Sequence, residues 1–426
     1  MKANRYRIAI VVLSIALLAI STDAEAEWTH LNSGVSDILY GVNFYNENIG
    51  SAVGWGASAG GVVVTTTDGG ENWITTIPVY GSYLFTAEFT DSLTCYTGGC
   101  DAGGSFYALL VKTTNCWNDW TPSFFSDSYG LYVVDFPSAT TGYACGWLGK
   151  IYKTTNGGDN WNSLPSGTGN VFRWMHFPSV DTGYAVCGTN FDNPKMLYKT
   201  TNGATWSYLH NFGSGVIGGI YFISPDTGIA VGTNGSEVIY KTTDGGANWE
   251  VKFTGVSSSI FQGVHFSGET GWAVGGQGRI FKSVNGGDSW ELDATVSPPV
   301  TFLGVYQAGD AVYAVGTSGA IFKNDLTTDI DDNLNNVIPD GVSLMENYPN
   351  PFNVETVINY SLAENTDVKL EIYDLRGQRL EILVDEFQQA GYHSVKWNAA
   401  DFASGMYFSK IQISDRTLTR KIILLK

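Results

Sequence analysis

Thr66-Thr67-Asp68-Gly69-Gly70-Glu71-Asn72-Trp73 has near copies along the chain. TTNGGDNW ends at Trp161, TTDGGANW at Trp249 and SVNGGDSW at Trp290, while a shortened TTNGATW ends at Trp206 and a degenerate TTNCWNDW at Trp120. Asp68, Asn156, Asp244 and Asn285 share one position, where a short polar side chain can bond backbone N–H groups of a turn. The glycines that follow supply conformations other residues resist. Trp73, Trp161, Trp249 and Trp290 are expected to pack between sheet layers, which makes these boxes structural and not catalytic.

Each copy follows an apolar strand and a D/T-G-Y/W-A-V-G strand. The slot just before the box holds Thr65, Lys112, Lys153, Lys199, Lys241, Lys282 and Lys323, at spacings of 47, 41, 46, 42, 41 and 41 residues. Seven units of that length, each with room for four short strands, predict a seven-bladed β-propeller over 27–325. Closure favours a ring over an open solenoid. The seventh unit stops at Ile321-Phe322-Lys323, without its Trp and outer strand, and Glu27-Trp28-Thr29-His30-Leu31 matches Trp249-Glu250-Val251-Lys252 in position and character. The N-terminal strand is predicted to complete the last blade. Composition agrees with an all-β chain: among 426 residues there are 51 glycines, 14% aromatic and 15% charged residues, which suits many short strands and tight turns.

The T-x-D/N-x-G-x-N/S-W box resembles the Asp-box (BNR-like repeat) of sialidases and related propellers. The whole unit, over roughly 28–323, resembles the photosystem II assembly and stability factor family. The resemblance implies the propeller fold. A photosystem partner is not expected, because the propeller region holds only Arg173 and Arg279 and so no basic docking patch.

Residues 326–343 are rich in Asp and Asn and read as a linker; Asp329, Asp331 and Asp332 are read as solvated and not as calcium ligands. From 344 to 426, period-two alternation such as Val368, Leu370, Ile372, with Gly377, Gly391 and Gly405 at turns, predicts a small immunoglobulin-like β-sandwich. Asn350-Pro351-Phe352-Asn353, Leu375-Arg376-Gly377, Ala390-Gly391, Trp397, Ser404-Gly405-Met406-Tyr407 and the terminal Lys421 to Lys426 resemble the type A C-terminal sorting domain of the type IX secretion system. That resemblance implies recognition of 344–426 by outer-membrane secretion machinery, often with cleavage of the tag and attachment of the cargo to surface lipopolysaccharide. An ordinary adhesion module of immunoglobulin type is the competing reading.

Residues 1–26 carry the marks of a signal peptide: Lys2, Arg5 and Arg7, an apolar run from Ile8 to Ile20, and Ala24-Glu25-Ala26 as a small-x-small cleavage site. The apolar run is short for a membrane span. Both ends of the chain thus point to export, to the outer cell surface or the medium. The net charge of -18 becomes about -19 after cleavage, which disfavours nucleic acid and anionic membranes as partners. An exported chain can form disulfides, and a local bridge among Cys95, Cys100 and Cys116 is expected, with Cys145 and Cys187 elsewhere. No metal site and no cofactor are predicted.

Two sets of residues could carry function. On the face that gathers the inter-blade loops and the hairpins after A-V-G, the longest hairpins are 54–61, 98–107 and 188–196. Trp55, Tyr83, Phe124, Phe125, Tyr129 and Trp147 gather there as candidate binding residues for an unidentified protein or glycan ligand. Aligning the first strands gives a second set, Asn43, Glu88, Asp135, His176, Tyr221, His265 and Tyr306, in which Glu88, Asp135, His176 and His265 could do acid–base work. A sialidase needs an arginine triad to clamp a carboxylate, which two arginines cannot supply. A glycoside hydrolase needs only two carboxylates and remains the alternative to a binding or scaffold role. Gly56-Ala57-Ser58-Ala59-Gly60 fits G-x-S-x-G but lies in a hairpin with no helix after it.

Overall fold

The computed structural model describes residues 28–56, 60–101, 107–188, 195–326, 343–344, 347, 352–413 and 416–424. The signal peptide, most of the linker, Ala57 to Ala59 and the centres of the other two long hairpins lie outside the described residues. The chain forms two units, one ending at Leu326 and one beginning at Thr327.

The first unit is a seven-bladed propeller of four-stranded antiparallel sheets. Blade 1 runs Ile38–Phe44, Gly50–Gly56, Gly60–Thr66 and Ile74–Thr76 from the axis outward. Blades 2 to 6 repeat this order, with innermost strands Ser82–Phe89, Leu131–Asp135, Phe172–His176, Val216–Phe222 and Phe261–Ser267. Blade 7 takes its inner three strands from Phe302–Ala308, Ala311–Gly316 and Ile321–Asp325 and its outer strand from Thr29–Leu31. The register is Thr29 to Lys323, His30 to Phe322 and Leu31 to Ile321, so the N-terminal strand closes the last blade as the sequence predicts. The innermost strand of blade 7 lies against that of blade 1, and the ring is complete.

At four of the seven blade boundaries the repeat packs through a three-ring unit. Tyr96, Tyr143, Tyr184 and Tyr313, from second strands, stack on Phe136, Phe177, Phe222 and Phe44 of the next blade at centroid distances of 4.2, 3.7, 3.4 and 4.0 Å. Each of those phenylalanines meets its own box tryptophan edge-on, as Phe136 does Trp161 at 5.8 Å. The tyrosine hydroxyls donate onward to backbone carbonyls of the next blade: Tyr96 to Gly157 at 2.7 Å, Tyr143 to Val180 at 2.9 Å, Tyr184 to Pro225 at 2.6 Å and Tyr313 to Gly69 at 2.8 Å. The lysine slot works alongside them, with Lys112 Nζ donating to the Gly157 carbonyl at 2.6 Å and to Asp159 at 2.8 Å.

The boxes are self-contained turns. Asp68 accepts from the Thr66 hydroxyl at 2.8 Å and from the backbone N–H of Asn72 at 2.9 Å, and Thr66 accepts from the Gly70 N–H at 2.8 Å. Asn156, Asp244 and Asn285 make the same bonds to the N–H of Asn160, Asn248 and Ser289. The backbone and side-chain amide of Asn248, with the Thr242 hydroxyl, hold the Asp244 carboxyl down at about 2.

All five cysteines are free thiols, contrary to the expected local bridge. Cys95 and Cys100 share one strand, the first fully buried in the blade core and the second at the lining of a surface hollow, while Cys116 sits in the box turn.

The second unit is a two-sheet sandwich. One sheet orders Ser343–Leu344, Glu355–Leu362 and Gly391–Asn398; the other orders Arg379–Gln388, Thr366–Tyr373, Gly405–Ile413 and Arg416–Leu424. Trp397, fully buried, centres a core with Phe352, Tyr360, Leu370, Ile411 and Ile422. The Leu375-Arg376-Gly377 turn is fixed by Asp374, which accepts the N–H of Arg376 and Gln378 at 2.9 and 2.8 Å.

Candidate functional site

Strand direction sorts the residues between two faces. First and third strands run the same way, so the end of every first strand shares a face with the boxes. The start of every first strand shares the other face with the hairpins between second and third strands.

The polar set from the first strands lies near the box end and ties the blades together. The Asn43 amide donates to Glu88 at 3.0 Å and its oxygen accepts the N–H of Phe89 at 3.2 Å. Glu88 accepts the N–H of Phe136, and Asp135 that of Phe177 at 2.7 Å. His176 Nδ1 accepts the N–H of Phe222 and His265 Nδ1 that of Gln307, both at 3.2 Å. Each side chain thus satisfies a backbone donor of the following blade. His176, Tyr221, His265 and Tyr306 also pack ring on ring at 4.2, 5.2 and 4.3 Å. Burial pushes the Asp135 carboxyl up to about 7. Burial, with the charge of Asp135 beside it, pushes Glu88 well above the carboxylate range. Burial lowers His176 to about 4 and His265 to about 3. Glu88, Asp135, His176 and His265 are therefore engaged in inter-blade bonds, with the histidines neutral.

The opposite end of the axis carries a different ring. Every innermost strand has a bulge near its start, where the pairing skips one residue: Tyr40, Phe85, Tyr132, Arg173, Gly218, Gln262 and Leu303 in blades 1 to 7. A bulge re-aims the unpaired residue. Here all seven skipped residues line one cavity of about 480 Å³ at the mouth of the axis. Blades 1 to 3 give it three aromatic rings, blade 4 a guanidinium, and blades 5 to 7 glycine, an amide and a leucine. Burial pushes the Tyr40 phenol up, Tyr83 and Tyr132 add to the shift, and the Arg173 guanidinium works against it, so these groups converge electrostatically. Among the described residues lining the cavity there is no carboxylate. Arg279 is held elsewhere, in a buried ion pair with Glu237.

Four of the six aromatic candidates join this mouth in one belt. Trp55 stacks on Tyr83 at 4.9 Å, Tyr83 on Phe85 at 6.4 Å, Phe85 meets Tyr132 at 4.9 Å, and Trp147 lies 6.5 Å from both Tyr132 and Tyr129. Phe124 and Phe125 do not. They sit in the outer strand Thr121–Phe125, where Phe125 packs on Tyr152 at 4.5 Å and Phe124 stays exposed. Sequence reasoning missed Tyr40, Phe85, Tyr132 and Arg173. The signal was present: each stands three residues before the polar slot already aligned.

Residues 198–346 match the family described as photosynthesis system II assembly factor YCF48, and residues 346–425 match the secretion system C-terminal sorting domain. Among solved structures, YCF48 bound to a D1 peptide superposes with a TM-score of 0.57 at 19% identity, over 70% of this chain and 96% of that one. YCF48 from Cyanidioschyzon merolae gives 0.57 at 17% identity, over 70% and 98%. The GH74 enzyme of Niastella koreensis gives 0.55 at 12% identity, over 94% of this chain and 74% of that one. At these identities the likeness establishes the fold alone. No curated protein matches the chain. The chain is accordingly a propeller protein whose later blades match the YCF48 family and whose C-terminal unit matches a secretion-system sorting domain, a match that indicates export by the type IX system.

Proposed function

We propose that the propeller is the binding module of an exported surface or extracellular protein, and that a protein or glycan ligand seats at the bulge-lined mouth of its axis. One observation carries the reading: the same bulge, repeated in all seven innermost strands, puts one residue per blade on the lining of a single cavity of about 480 Å³. A bulge gives up ladder hydrogen bonds and is found where a side chain must be re-aimed. A cavity of this size with an aromatic wall and a few polar groups suits ligand binding. A protein of similar fold, YCF48, has been seen with a D1 peptide bound, which supports a ligand on a propeller without naming one here. The glycoside hydrolase alternative needs two carboxylates roughly 5–10 Å apart around the sugar, and none is among the described residues lining the mouth. The C-terminal unit delivers the module by engaging the secretion machinery.

A glycan and protein array probed with the mature chain tests this. A hit is expected to be lost with Tyr132→Ala or Arg173→Glu and kept with Glu71→Ala, on the opposite face. Hits that ignore both mouth substitutions would overturn the assignment of the face.

A further inference from the structure

The axial cavity shares a wall with a second hollow. Tyr83, Phe85 and Tyr132 are common to both, and Cys100, Tyr129 and Trp147 complete the second, of about 430 Å³. Among the described residues no charged side chain lines it, and the Trp147 indole N–H is already donated to the Tyr132 hydroxyl at 3.1 Å. Arg173 stands beside it, its guanidinium 4.7 Å from the centre of the Tyr132 ring. Tyr132 therefore joins an apolar hollow to a cation. Tyr129 is 54% and Trp147 38% exposed, a large aromatic surface left to water in the free chain.

Ring geometry and the charge beside it together describe the ligand. Trp55 on Tyr83, Tyr83 on Phe85 and Tyr132 on Trp147 lie within 15°, 19° and 27° of parallel. Trp55 and Tyr83, 4.9 Å apart, cover each other's faces, while the other two pairs, at 6.4 and 6.5 Å, are offset neighbours. Ring edges are electropositive, and Arg173 adds a full positive charge with a planar fork for a carboxylate. This happens on a chain whose net charge is -18, in a cavity with no described carboxylate. The surface is complementary to an anion next to a bulky apolar group.

We infer that this bipartite surface docks a protein segment in which a large apolar side chain neighbours a carboxylate, the side chain entering the hollow between Tyr129 and Trp147 and the carboxylate pairing with Arg173. This rests on the reading of the mouth as the binding face. Aromatic and arginine anchors of this kind dominate protein interfaces.

A library of random heptapeptides displayed on filamentous phage, selected on the immobilised mature chain, tests it. Enriched peptides should pair Trp, Phe or Leu with an adjacent Asp or Glu. Arg173→Gln should cut enrichment of the acidic residue at least tenfold while the apolar residue stays enriched. Trp147→Ala should do the reverse, with both variants melting as the parent does. Enriched peptides that lack the pair but depend on Tyr132 would overturn the docking assignment and leave the mouth as the binding face. Enrichment that ignores Arg173, Tyr132 and Trp147 alike would overturn both. Absence of any enriched peptide, with acidic oligosaccharides retained in a parallel binding assay, would also overturn the protein partner.

Discussion

The box of blade 2 shows how one residue's loss is answered by another's gain. Where other boxes place Gly69-Gly70 or Gly157-Gly158 at positive φ, this one places Cys116 at 54° and Trp117 at 64°. Trp117 is 3% exposed and its indole donates to the Ser51 hydroxyl at 3.2 Å. Ser51 occupies the second-strand position held by Tyr96, Tyr143, Tyr184 and Tyr313 in other blades. The indole of blade 2 thus fills, from across the boundary, the room a tyrosine of blade 1 would take. Trp120, in the usual tryptophan position, is 36% exposed. Trp117→Ala should therefore cost about 3–5 kcal/mol, and Trp120→Ala no more than about 1 kcal/mol, by urea denaturation. Cys116→Gly should stabilise by about 1 kcal/mol, because glycine meets no Cβ penalty at positive φ. The repeat was legible in the sequence, since the box bonds run between residues no more than six apart. Trp117 was not, because its meaning depends on a serine 66 residues away.

At the scale of the strand, the two rings of the axis differ in how they could be read. The polar slot near the box end follows plain alignment of the repeats. The ring at the mouth comes from a register shift, which alignment does not register as an insertion because every blade carries it. The polar ring also sets a pH dependence. Asp135, held at about 7, binds its proton more tightly folded than unfolded, so its contribution to stability falls as pH rises from about 4 through 7. His176, held at about 4, binds its proton less tightly folded, so its contribution falls as pH drops from about 6.5 toward 4. His265 acts in the same sense as His176, and Glu88 in the same sense as Asp135. Between about pH 4 and 6.5 the carboxyls and the imidazoles oppose each other. Asp135→Asn removes one of the two carboxyls from that balance while keeping an acceptor for the Phe177 N–H. Relative to the parent, the variant should gain stability steadily from about pH 5 to 8 in denaturant titrations. A constant difference across that range would show that Asp135 is already ionised at the lower end.

The whole ring depends on its last seam. Six blades are each made from one continuous stretch of chain, and the seventh joins segments 286 residues apart, as the bond from Ser33 Oγ to the Gly319 carbonyl shows. Trp28 reinforces the seam from outside, donating to Asp293 at 2.7 Å and meeting Trp272 edge-on at 5.7 Å, so it links blade 6 to the strand that completes blade 7. Trp28→Ala should lower stability by about 2–3 kcal/mol while the ring stays closed and monomeric. Starting the chain at Asn32 is a different perturbation. It strips the partner from Ile321–Asp325 and leaves a row of unpaired backbone donors and acceptors, the template on which strands of another chain add. The truncated protein should melt at a lower temperature and over a broader range than the parent in calorimetry. In size-exclusion chromatography it should shift toward dimers or larger species as concentration rises. A truncated chain that ran as a monomer with an unchanged, sharp transition would mean that blade 7 holds its place through its three inner strands alone, with the ring closed by the contact between Phe302–Ala308 and Ile38–Phe44.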